Sequence, residues 1–86
     1  MSSTEEILAE RGKTHGDFTV HARVAQSLKN VIRVEHGFEN MNSVQVEAID
    51  MIMHKIGRIV AGNPNHHDHW DDIAGYAILV SKRIAK

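Results

Sequence analysis

Residues 42–64, NSVQVEAIDMIMHKIGRIVAGNP, read as one long helix with both ends marked. Asn42 and Gln45 form a capping-box pair, and Met41 with Val46 forms a hydrophobic staple across the cap. Gly62 and then Asn63-Pro64 close the helix after about Ala61. Ile49, Ile52, Met53, Ile56, Ile59 and Val60 cover a wide apolar arc at helical spacing. No segment of the chain alternates polar and apolar residues convincingly, so no sheet is expected.

The flanking segments extend the same pattern. A short helix is expected from about Thr4 to Arg11, capped by Ser3 or Thr4 and ended by Gly12. The turn GKTHGDF follows, and Asp17 can cap a second helix from about Phe18 to His36. Its stripe is Val20, Val24, Leu28 and Ile32, and Gly37 stops it. Asn65 is a cap for a fourth helix from about His66 to the C-terminus, striped by Trp70, Ile73, Ala77, Val80 and Ile84. Arg23, Lys29 and Arg33 are expected in solvent. The expected architecture over residues 1–86 is a single all-α domain, a small bundle of three to four helices.

Size and composition limit what this bundle can be. The chain has 86 residues, 42% hydrophobic and 24% charged, with one proline, which is a globular composition. Three helices of this length bury one thin layer, and the arc of the third helix is too wide for it. A homo-oligomer, a dimer or larger, is therefore expected to complete the fold. There is no cysteine, which excludes disulfide frameworks and thiol chemistry and leaves oxygen and imidazole as metal ligands. The net charge of -1 argues against a nucleic-acid partner. No apolar run exceeds four residues, so no membrane span is expected. The start MSSTEEILAERGK lacks a basic end and an apolar run, so a cytoplasmic location is expected.

Seven histidines in so short a chain ask for a role. On the third helix, Glu47, Asp50, His54 and Arg58 fall within about 40° of one line, opposite the apolar arc. A solvated face with ordinary ion pairs is the common outcome of such a stripe. The fourth helix adds His69, Asp72 and Tyr76 on the border of its own stripe, where polar groups are half-buried and need partners. Two helices carrying acidic i, i+3 residues can converge on a divalent cation. Gly57 and Gly75, both mid-helix, suggest close helix approach. His66 and His69 are one turn apart and could share a transition metal with Asp68 or Asp72, against the plainer reading of capping and loop packing. Trp70 is expected in the core or an interface.

At these residues the chain resembles the MazG-like, all-α nucleoside triphosphate pyrophosphohydrolases, which carry an ExxE pair on one helix and an ExxD pair on the next. The first pair would be Glu47-Ala-Ile-Asp50 and the second His69-Trp-Asp-Asp72, on helices at about 42–61 and 66–86. Asp50 and His69 each stand where the family has glutamate, and Asp68 adjoins His69. Nearly the whole chain is also similar to small proteins typical of tailed bacteriophages. The shared segments are Arg11 to Phe18 and His54 to Ala77, and this likeness implies a viral origin and the host cytoplasm.

The pyrophosphohydrolase resemblance implies Mg²⁺, with Mn²⁺ as the alternative, held by Glu47, Asp50 and Asp72 with Asp68 or His69. His54 would be a ligand or would orient one. The metal would help water attack the α-phosphorus, giving a nucleoside monophosphate and pyrophosphate, with Glu47, Asp50 and Asp72 as the catalytic set. Lys55, Arg58 or Lys13 would hold outer phosphates, and Tyr76 and His15 would touch the substrate. The partner would be a nucleotide or another phosphate-bearing small molecule. The competing expectation is a helical oligomer that binds a nucleotide or a host protein without hydrolysis.

Overall fold

The computed structural model describes residues 3–85 and is all-helical among them. Helix α1 spans Thr4–His15, α2 Phe18–Arg33, α3 Ser43–Ala61 and α4 His67–Ser81, with a short 3₁₀ turn at His36–Asn40 between α2 and α3. Helix α3 is the hub, touching the other three, and α1 also leans on α2. The molecule is elongated, 46 × 27 × 23 Å. No helix is long and apolar enough to cross a membrane.

The caps explain most of the boundaries. Asn42 and Gln45 form the expected reciprocal box at the start of α3. Ser3 does the same with Glu6 for α1. The Asp17 carboxylate accepts from the Thr19 N–H at 2.7 Å and starts α2. Each bond satisfies an amide that the helix leaves unpaired.

Four boundaries differ from expectation. Helix α1 does not stop at Gly12; it continues to His15 and ends at Gly16, whose φ of 77° and ψ of -168° suit only glycine. Gly12 meets nothing within 4 Å and is simply carried along the helix surface. Helix α2 ends at Arg33 rather than His36, and Gly37 lies in the 3₁₀ turn. Asn65 does not cap α4: the N-cap is His66, with no side-chain bond, while the Asn65 N–H donates to Asn63 Oδ1. Helix α4 stops at Ser81 rather than reaching the C-terminus.

A backbone knot ties three elements together. The Thr14 carbonyl accepts from the Asn63 N–H at 3.0 Å and from His69 Nε2–H at 2.9 Å. A Cβ at Gly16 would overlap the Ala61 carbonyl, and one at Gly62 would overlap the Thr14 carbonyl, so both segments must be bare there. The end of α1, the end of α3 and the start of α4 thus meet at one point. Gly57 plays the expected close-approach role, since a Cβ there would sit 3.1 Å from the His21 carbonyl of α2. Gly75 does not: nothing lies within 4 Å of its Cβ position.

The core is thin, as expected from the length. Ala25, Ala48 and Met53 are its buried apolar residues. Trp70, expected in the core or an interface, is not in the core of one chain: it is 53% exposed and donates its indole N–H to the Pro64 carbonyl at 2.8 Å. Val60 and Ile84, assigned to apolar stripes, are also exposed.

Candidate functional site

Polar side chains gather along α3 and on the stretches of α2 and α4 that pack against it. On α3, Lys55 is buried, and its Nζ lies 2.8 Å from the Asp72 carboxylate of α4. A buried ammonium needs such a partner. The hydrogen bond from Lys55 is the main reason that the Asp72 carboxyl is held below the ordinary carboxylate range. One turn away from Arg58, Lys29 of α2 donates from Nζ to His54 Nε2 at 2.9 Å. An ammonium can only donate, so that nitrogen of His54 is unprotonated.

Arg58 stands at the middle of this cluster. Burial lowers the pKa of His15, His21 and His54, and the Arg58 charge adds to the lowering at all three. Lys29 acts on His54 more strongly than Arg58 does, while Asp50 and Glu47 oppose both. Arg58 itself forms no ion pair among the described residues. Neither do Glu47 and Asp50, and Asp50 is only half-buried.

The expected metal ligands do not converge on one ion within this chain. Asp72 is committed to Lys55, and His54 to Lys29. His69 is only 2% exposed, and its Nε2 serves the Thr14 carbonyl. Asp68 is exposed and lies 3.8 Å from His66. Among the described residues, the single set of three or more ligand-type groups within 4.8 Å of one another is His67, Asp68 and Asp71, all in solvent. It omits Glu47, Asp50, His54, His69 and Asp72. Within it His67 and Asp71 already pair at 2.7 Å along the helix. The donor set of one chain as folded does not fit a shared divalent cation, whose ligands must approach to about 2.1 Å.

The remaining expected residues scatter. Tyr76 is half-buried beside Asp72 in a shallow hollow of α4. Lys13 is exposed on α1. His15 packs edge-on against His69, with ring centres 5.0 Å apart, and lines a cavity of about 560 Å³ at the α1–α2 turn. Arg58 lines the same cavity from α3.

Two residues here escaped the sequence reading. Lys29, expected in solvent, bonds His54 across 25 positions of sequence. Its one local signal is that it follows buried Ala25 by one turn, so it borders the inward face of α2. His21, left without a role, sits against Gly57, and its ring centre is 5.9 Å from that of His54.

Residues 1–84 match the model of the family described as "Domain of unknown function (DUF6378)". No curated protein and no solved structure matches the chain.

Proposed function

The chain belongs to the DUF6378 family, and we propose that it binds a nucleotide or another phosphate-bearing small molecule on the cationic side of α3. The observation that carries this reading is Arg58. It is a half-buried guanidinium with no carboxylate of its own, ringed by His15, His21 and His54. The planar guanidinium in that position favours an anion that can accept two parallel hydrogen bonds, such as phosphate. The charges of Lys29 and Lys55 also act on His21 beside Arg58, that of Lys55 in a pair with Asp72.

Hydrolysis is the second reading, and Glu47 with Asp50 favours it. They are two carboxylates one turn apart without a basic partner among the described residues. Cleavage of a nucleoside triphosphate with Mg²⁺ or Mn²⁺ would need further oxygen ligands, and a second copy of the chain is the natural source.

The test is a panel of ribo- and deoxynucleoside triphosphates and pyrophosphate, titrated by calorimetry with and without Mg²⁺ or Mn²⁺. Binding that weakens at least about tenfold in Arg58→Gln supports the phosphate reading, since charged hydrogen bonds contribute about 1.5–3 kcal/mol. Equal binding by Arg58→Gln and the parent chain ends it. Release of pyrophosphate that disappears in Asp50→Asn supports hydrolysis; no release with any nucleotide or metal ends that reading alone.

A further inference from the structure

We infer that the cavity at the α1–α2 turn is the base compartment of this ligand, with Phe18 as a stacking platform, so that the ligand is a nucleotide rather than a sugar phosphate or inorganic phosphate. This rests on the phosphate reading at Arg58 and adds a second, separable contact.

Phe18 is the first residue of α2 and is 79% exposed. Its ring is nearly parallel to that of His21, one turn on, at 11° and 5.8 Å between centres. Both residues line the cavity, whose volume of about 560 Å³ is in the range of small-molecule sites. A large exposed aromatic lying parallel to and offset from a second ring contributes little to a fold this thin. It is suited to a planar base, because any base offers a π face.

Charge around the cavity points the same way. Arg11 of α1 and Arg58 of α3 both line it, and neither forms an ion pair among the described residues. The one carboxylate in the wall, Asp17, is occupied in capping α2 through the Thr19 N–H. The histidines of the wall, His15 and His21, are held toward their neutral forms by burial. Two unpaired guanidinium groups beside an aromatic stack outnumber the single carboxylate of Asp17 and match a ring carrying an anion. The base would lie on Phe18, and the phosphate would bridge toward Arg58.

Binding is measured by calorimetry in EDTA, so that no metal-dependent step enters. The probes are AMP, CMP, ribose 5-phosphate, adenosine and inorganic phosphate. The expected order places AMP and CMP at least about tenfold tighter than ribose 5-phosphate, the scale of one base–aromatic stack. Phe18→Ala should erase that difference and leave ribose 5-phosphate unchanged. Its exposure makes this variant safe for the fold, which circular dichroism verifies. Arg11→Gln should weaken both nucleotides and ribose 5-phosphate. Nucleotides and ribose 5-phosphate binding alike, both weakened by Arg58→Gln and neither changed by Phe18→Ala, would overturn the base compartment and leave the phosphate reading standing. No binding of any phosphate probe would overturn both.

Discussion

His69 is a structural anchor in this chain. The MazG-like resemblance places a metal ligand there, yet the imidazole is sealed from solvent and its Nε2–H is spent on the Thr14 carbonyl. It anchors α4 to the end of α1. His69→Ala should therefore destabilise the chain by about 2–4 kcal/mol, adding an empty volume to a lost hydrogen bond. His69→Leu refills most of the volume and should cost about half as much; denaturant melts of both variants check the order. If both variants melt with the parent chain, the anchor is wrong. His54 supplies the pH dependence. Its folded pKa lies below the ordinary histidine value of about 6.5, mainly through burial and then Lys29. His15 and His21 are lowered as well, again by burial first. The unfolded chain then binds more protons than the folded one as pH falls through the range near 6.5, so stability is full above that pH and is lost below it. Melting temperature should fall steadily from pH 7.5 to 5.5. His54→Gln keeps an acceptor for Lys29 and should flatten the fall. A second loss follows at lower pH, where Asp72 is protonated and releases Lys55.

At the scale of elements, two glycines with opposite surroundings make paired predictions. Gly16 sits at positive φ with the Ala61 carbonyl where a Cβ would go. Gly16→Ala should cost at least about 1–3 kcal/mol from backbone strain alone, and the overlap adds to it. Gly75 lies inside α4 with open space around it, so Gly75→Ala should stabilise by about 0.5–1 kcal/mol through helix propensity. Urea denaturation of the two variants tests both signs. These positions also separate what could be read from sequence and what could not. The α3 boundaries were legible because a capping box and a terminal glycine are local and need only neighbours within four residues. The end of α1 was not, because Gly12 and Gly16 look alike in sequence. Only the packing of Gly16 on Ala61, some 45 positions away, selects between them. The candidate site divides along the same line. Glu47, Asp50, His54 and Arg58 share one face of one helix, so 3.6-residue periodicity finds them. Their partners Lys29 and His21 come from α2, and no spacing rule reaches across two helices. The pairing of Lys55 with Asp72 likewise depends on how α3 and α4 dock.

For the whole molecule, the deciding fact is how little apolar surface one chain hides. Ala25, Ala48 and Met53 are buried, while Val44, Ile78, Leu79 and Ile84 remain exposed on or beside α3 and α4. Between those helices lies an apolar hollow of about 580 Å³, walled by Ile49, Ile52, Ala77 and Val80. Domains near this size bury only about 60–65% of the surface of the unfolded chain and hold little stability in reserve. Burial of that hollow against a second copy would add to the stability of α3 and α4, the two helices that carry Lys55 and Asp72. The chain is therefore expected to self-associate, and its melting temperature to rise with protein concentration, because folding is then coupled to assembly by mass action. Light scattering on an eluting column should give a mass of two chains or more. Ile52→Glu places a charge in the hollow and should return the mass toward 9.6 kDa, the value for one chain, with a lower melting temperature. Exposed Glu10→Gln on α1, far from the hollow in sequence, serves as the control and should change neither reading. A parent chain of single mass at tens of micromolar, with a melting temperature independent of concentration, would show that this thin core suffices by itself. The hollow would then have no part in the fold.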